Sequence, residues 1–325
     1  MAFTDLTDKA VKRILARYDV GELQGVKIAG NGIENSNYFV TTATDGHQRE
    51  LVLTVLEQPS NARDQLVRLL DHCAAAGLPV ADVLRNRNGD AFDSIADKPV
   101  MLCNRLSGQH VFNPTRVQCA AVGRVLARLH LAGVELSADL PPYPRDAAWL
   151  KQTEAGVRAH LSFSDRRLLA DSVARLDKLL NRDDVKLLPT GLIHGDLFRD
   201  NVLFTGQGLS GLLDFHHASR GIALFDIAVA ANDWCTDSSG VLDVERSLAL
   251  LKAYHTVRPL RAQEIWLFPT FLLYAATAFW LSRLEVIVAA ANRKVRSKNP
   301  DEFRDIVQQH TAHSLYVDPR MLEAS

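Results

Sequence analysis

The hydrophobic pattern changes character along the chain. Early segments are short and rich in β-branched and aromatic residues, which predicts strands over 26–30, 38–42 and 51–56. Asp45-Gly46, between the second and third, is a tight-turn dipeptide. A helix is expected over 8–18. A second is expected where Leu66, Leu69, Leu70 and Cys73 repeat at i, i+3, i+4, i+7. Gly77 ends it and Pro79 prevents its resumption. A further strand is expected over 99–102, and 104–108 reads as a connection. Beyond it the period is helical. Val122, Val125, Leu126 and Leu129 share one face, and Leu169, Val173, Leu176 and Leu180 another, with Ser164 as N-cap. A strand-rich island interrupts at 188–215, turning at Gly206-Gln207-Gly208. The pattern is α+β: a small sheet-based lobe, 1–103, and a larger, mainly helical lobe, 104–325.

Composition narrows the class. The 325 residues are 47% apolar and 23% charged, an ordinary globular balance. With 37 basic and 38 acidic residues, the net charge of −1 gives no reason to expect a nucleic-acid or membrane-surface partner. Cys73, Cys103, Cys119 and Cys235 form no CxxC pair, so neither a zinc site nor a disulfide framework is expected. No signal peptide opens the chain, and a reducing, cytoplasmic setting is expected. The stretch 265–282 carries no formal charge, but Pro269, Thr270 and Thr277 interrupt it, and it reads as a buried core helix.

The chemistry concentrates in His194-Gly195-Asp196-Leu197-Phe198-Arg199-Asp200-Asn201, followed by Val202-Leu203-Phe204, a turn, and Leu212-Leu213-Asp214. A hairpin here brings Asn201 and Asp214 together. Phosphoryl transfer needs a group to orient the attacking hydroxyl and take its proton, and metal ions to neutralise phosphate charge. Asp196 is the candidate base. Asn201 and Asp214 offer the hard oxygen ligands that Mg2+ prefers. The five-residue step from Asp196 to Asn201 matches the kinase catalytic loop. His194 is expected to brace the loop. The stretch 30–38, with Gly32, Asn35, Ser36 and Asn37, lies between two expected strands; its glycines suit close approach to phosphates.

These pieces resemble the aminoglycoside phosphotransferase-like kinases, distant relatives of protein kinases, and more narrowly the bacterial homoserine kinases among them. The resemblance is carried by GIENSNY at 32–38, LVLTVLE at 51–57, GLPV at 77–80 and LARLH at 126–130. It continues in HGDLFRDNVLF at 194–204, LDF at 213–215, NDWC at 232–235 and FWLSRL at 279–284. It implies a bilobal protein-kinase-like fold, with a small antiparallel-sheet lobe binding ATP and a larger helical lobe binding the substrate. Adenine would lie against Leu102, Cys103 and Asn104. The implied reaction converts ATP and L-homoserine to ADP and O-phospho-L-homoserine, on the route to threonine.

Two departures qualify that likeness. Most of the superfamily carries a lysine on the third strand where this chain has Thr54, which supplies no charge. The homoserine kinase branch shares the threonine. Asn35, Ser36 and Asn37 are then expected to hold the triphosphate together with the metal. Thr277-Ala278 stands where close relatives would carry an arginine. For the acceptor, Arg199 or Arg283 is a candidate for the carboxylate and Asp233 for the ammonium. Asp226 is expected to support the catalytic loop through hydrogen bonds. Other readings are a kinase for an aminoglycoside or a choline-like alcohol, or a nucleotide-binding pseudokinase scaffold. Oligomeric state is not readable.

Overall fold

The computed structural model describes residues 4–29, 35–57, 63–136, 139–289, 298–313 and 315–323. The chain divides into two compact units: residues 1–108 with 210–213, and residues 109–209 with 214–325.

In the first unit, helix α1 (Asp8–Leu15) precedes strands β1 (Glu22–Ile28), β2 (Ser36–Thr44) and β3 (His47–Val55). Helix α2 (Arg63–Ala75) follows, then β4 (Phe92–Ile95) and β5 (Lys98–Asn104). The strands form one antiparallel sheet in the order β1-β2-β3-β5-β4. Asp45 and Gly46 join β2 to β3 with φ of 50° and 81°, the left-handed pair a two-residue hairpin demands. The β4–β5 hairpin makes the same turn at Ala96 and Asp97, with φ of 48° and 62°. No glycine announces that turn, so the sequence pattern does not predict β4.

Strand alternation divides the sheet's side chains between two faces. Tyr38, Val40, Leu51, Leu53, Val55, Val100 and Leu102 pack with Val11, Ile14 and Leu15 of α1. On the other face Met101 and Cys103 pack with Val67 of α2.

The second unit contains α3 (Arg116–Ala132), α4 (Ala147–Val157), α5 (Phe163–Leu180) and the short α6 (Asp183–Lys186). Then come β6 (Thr190–Ile193), β7 (Val202–Thr205), β8 (Gly208–Leu212), of which residues 210–212 are counted with the first unit, and β9 (Ser219–Ile222). Helices α7 (Ala223–Trp234), α8 (Val244–Val257), α9 (Ala262–Ala289) and α10 (Asp301–Ala312) complete it. Thr115 caps α3 in a capping box with Gln118. Ser162, not Ser164, caps α5, accepting the Asp165 amide at 3.1 Å; Ser164 already lies inside the first turn. α3 and α8 cross so closely that a Cβ on Gly123 would sit 2.1 Å from the Leu250 carbonyl oxygen.

α9 contains the uncharged stretch. It is long and apolar enough to cross a membrane by length and composition, but 67% of its most apolar window is buried inside the protein. It packs on α4, α5, α7 and α10, as a core helix does. Trp234 and Trp280 are both fully buried core residues.

Candidate active site

β6 pairs antiparallel with β9 and delivers the chain to His194. The turn that follows is gripped by one face of α7. Asp226 and Asp233 lie two helical turns apart on that helix, so both side chains project the same way. Asp226 accepts the His194 amide at 2.7 Å and the Gly195 amide at 2.8 Å. Asp233 accepts the Arg199 amide at 2.6 Å. The Trp234 indole donates to the Leu197 carbonyl at 3.1 Å. The loop's backbone is therefore pinned at four points by one rigid helix.

Asp226 is completely buried. Its Oδ2 also lies 3.0 Å from His130 Nε2, and the opposite ring nitrogen, Nδ1, is 2.6 Å from the Tyr254 hydroxyl. Burial alone would raise the Asp226 pKa. The His130 hydrogen bond and charge, His194 and the loop amides outweigh it and hold the carboxyl below its ordinary value. Gly195 has φ of +76°, and a Cβ there would meet the His217 carbonyl oxygen at 3.0 Å. Only glycine makes this bend without strain. The expected bracing by Asp226 is present, and His194 itself is buried against the Phe215 ring.

Asp196 emerges from this bend half-buried. The Asn201 amide nitrogen donates to the Asp196 carbonyl at 2.8 Å and to its Oδ2 at 3.0 Å. Those two bonds fix the amide's orientation and direct its oxygen elsewhere, as a metal ligand requires. Asp214 follows β8 in the left-handed region, φ 58° and ψ 68°, with an exposed side chain. Desolvation pushes the Asp196 pKa up to about 7; Lys298 and Arg145 oppose the rise, while Asp214 and Asp200 add to it. An amide oxygen and a carboxylate are the hard ligands that suit Mg2+, which keeps waters and phosphate oxygens for its other positions. Among the described residues no group of three or more His, Cys, Asp or Glu is arranged for a metal.

The remaining expectations fare unevenly. Arg199 and Asp233 are brought together, but with each other: Arg199 Nε and Nη2 reach the carboxylate at 3.1 and 3.3 Å, and Nη1 donates to Phe112 O at 2.6 Å. The pair buttresses the loop and leaves neither charge for an acceptor. Arg283 binds Glu302 at 2.6 Å and the Asn299 carbonyl, and stacks on Phe303. The NDWC run is structural in all its parts. Asn232 donates to Leu272 O of α9 at 2.8 Å and meets His310 of α10 at 2.8 Å. Cys235 is buried.

In the first unit, alternation separates the expected phosphate contacts. Asn37 and Thr54 are register partners, and the Thr54 hydroxyl donates to Asn37 Oδ1 at 2.7 Å. Asn35 Oδ1 accepts the Glu57 amide at 3.3 Å. Ser36 points the opposite way, to the α1 face, where it is buried and bonds the Glu57 carboxylate and the Thr4 amide. Lys98 closes that cluster, 2.6 Å from Glu57. Leu102 also faces the α1 core, and its carbonyl accepts the Leu84 amide at 2.8 Å. Cys103 bridges Val83, and the Asn104 amide donates to Asp82 O at 3.1 Å. This strand's outer edge is therefore covered by residues 82–84. Gly32 lies outside the described residues.

Two cations near Asp196 carry no mark in the sequence pattern. Lys298 binds Asp200 at 2.6 Å and sits over the Phe198 ring. Arg145 sits over the Phe279 ring, 4.7 Å from its centroid, and donates to Ser282 Oγ at 3.0 Å. No local motif flags either residue, since only the tertiary fold carries them to the loop.

Comparison with known proteins gives a consistent picture. The profile of the phosphotransferase enzyme family matches residues 25–260. A homoserine kinase of Polaromonas naphthalenivorans is 37% identical over 316 residues, covering 96% of this chain and 98% of the relative. One from Methylobacillus flagellatus is 37% identical over 314 residues, covering 95% of each. Among solved structures, a spectinomycin phosphotransferase in complex with ADP and spectinomycin superposes with a TM-score of 0.69. It is 13% identical, covering 94% of this chain and 95% of that one, a likeness of fold alone.

Proposed function

This chain belongs to the phosphotransferase enzyme family and, within it, to the homoserine kinases, and from that premise we propose that it transfers the γ-phosphoryl group of ATP to the side-chain hydroxyl of L-homoserine. The observation that carries the reading is near-full-length identity to homoserine kinases in a chain whose Asp196 and Asn201 are hydrogen-bonded in one loop.

Asp196 orients the acceptor hydroxyl and takes its proton as the hydroxyl oxygen attacks the γ-phosphorus. The bond from that phosphorus to the β–γ bridging oxygen breaks, and ADP leaves with the bridging oxygen. Desolvation favours this role, because a carboxylate with a pKa near 7 accepts a proton better than an exposed one. Asn201 and Asp214 are the residues that would hold Mg2+, which when bound neutralises charge on the phosphate oxygens. Asn201 also holds Asp196 in place, through both bonds of its amide nitrogen. α7 keeps the loop in one geometry, so little reorganisation is needed at the moment of reaction.

We assign nucleotide binding to the first unit and acceptor binding to the second. Asn35 and Asn37 are the proposed phosphate contacts. Ser36 is set aside because it serves the α1 face. The four cysteines are buried and unbridged, which suits a reducing, cytoplasmic setting.

A coupled ADP-release assay with Mg-ATP and a panel of acceptors tests the reading. Turnover with L-homoserine well above that with an aminoglycoside or choline is the expected result. Turnover of another acceptor alone, or of none, overturns it.

A further inference from the structure

We propose that Arg145, with the Tyr143 hydroxyl beside it, binds the α-carboxylate of the acceptor amino acid. The proposal rests on the homoserine reading and names the group that recognises the acid end of that substrate.

Among the described residues of the second unit, Arg145, Arg199, Arg283 and Lys298 lie on the catalytic loop or on side chains that contact it, and three of the four already have a carboxylate. Arg199 is paired with Asp233, Arg283 with Glu302 and Lys298 with Asp200. Arg145 has no carboxylate partner among the described residues. Its contacts instead fix the guanidinium in a plane without neutralising it. It lies over the Phe279 ring at 4.7 Å, approaches the Trp149 ring at 5.8 Å, and donates one Nη2 bond to Ser282 at 3.0 Å. The backbone is tied as well, since the Tyr274 hydroxyl donates to the Arg145 carbonyl at 2.6 Å. Asp146, next in the chain, is engaged in capping α4 through the Trp149 amide at 2.9 Å. A stacked guanidinium with donors to spare is the geometry that reads a carboxylate in two-pronged fashion.

Position agrees with the chemistry. The Phe279 ring that carries Arg145 also packs edge-on against Phe198 at 4.7 Å. Phe198 belongs to the catalytic loop, and its amide donates to the Asp196 carbonyl at 2.8 Å. Arg145 is near enough to Asp196 to lower that carboxyl's pKa, against the desolvation that raises it. Tyr143 supplies a second donor. Its hydroxyl is buried, makes no hydrogen bond of normal geometry among the described residues, and interacts with Arg145. The hydroxyl and the guanidinium therefore lie side by side.

The test compares L-homoserine with 3-aminopropan-1-ol, the same molecule without its carboxylate, in the wild type, Arg145→Gln and Arg145→Lys. Arg145→Gln should raise the homoserine KM by about 10²-fold, with kcat and the ATP KM changed less than about threefold. Activity on 3-aminopropan-1-ol should fall far less than activity on L-homoserine, so that discrimination between the two alcohols shrinks. Arg145→Lys should recover part of the homoserine affinity, and Tyr143→Phe should raise KM by a smaller factor. Thermal melting checks that each variant is folded. An unchanged homoserine KM in folded Arg145→Gln, or a loss confined to kcat, overturns the carboxylate role while leaving the homoserine reading intact. A wild type that phosphorylates 3-aminopropan-1-ol but not homoserine overturns both.

Discussion

The 194–201 loop, to which we assign the chemistry, and the start of β2 solve the same problem in opposite ways. Each is a short polar stretch that must be held still. At 194–201 the support comes from outside the stretch. Asp226, Asp233 and Trp234 on one helix take the loop's amides and a carbonyl, so the loop's own Asp196 and Asn201 remain available for chemistry. At 35–37 the support comes from the strand pair itself. Alternation sends Ser36 to one face and Asn37 to the other, and each bonds a neighbour on β3 or just beyond it. A helix scaffold frees functional side chains, whereas a sheet engages every second one in its own cohesion.

The largest test of this contrast removes the scaffold. Asp226→Ala leaves two loop amides and the His130 ring without their buried acceptor, and should cost about 3–5 kcal/mol of stability in denaturant unfolding. The Asp226 pKa is lowered in the fold, so its contribution is complete above the ordinary aspartate range. It is lost as pH falls through the lower folded value. Next in size, Asn37→Ala should raise the ATP KM about tenfold, because its amide is turned to the face opposite α1. The same assay on Ser36→Ala should show an unchanged ATP KM; a large rise there would erase the distinction between the two faces.

A pH profile follows from the Asp196 carboxyl, whose pKa is near 7. In the role proposed for it Asp196 works as a carboxylate, so log kcat/KM should fall by about one unit per pH unit below that value and flatten above it. A profile flat down to pH 5 would show that the carboxyl is not raised as its desolvation predicts. The smallest effect belongs to Gly195→Ala. With φ at +76° and the His217 carbonyl 3.0 Å from the new Cβ, it should cost about 1–2 kcal/mol in thermal unfolding.

Much of the molecule is legible in its sequence, for identifiable reasons. The sheet, the main helices and the HGD loop follow from periodicity and spacing, which are local properties. The β4–β5 hairpin is hidden because Ala96-Asp97 takes a turn conformation usually marked by glycine. The Arg199–Asp233 pair is misleading because charge on a sequence does not reveal its partner, and here each is the other's. Ser36 falls in with its neighbours because a motif read as a string ignores which face each side chain takes. Arg145 and Lys298 are invisible because nothing near them in sequence repeats or pairs in a telling way.

The most direct test of the central claim is single-turnover phosphoryl transfer from Mg-ATP to L-homoserine, comparing the wild type with Asp196→Asn. That substitution keeps the side chain's shape and removes the proton acceptor. The account predicts a fall in the transfer rate of about 10²-fold or more with folding intact and ATP binding retained. A folded Asp196→Asn enzyme that transfers phosphate to homoserine at near the wild-type rate would contradict it.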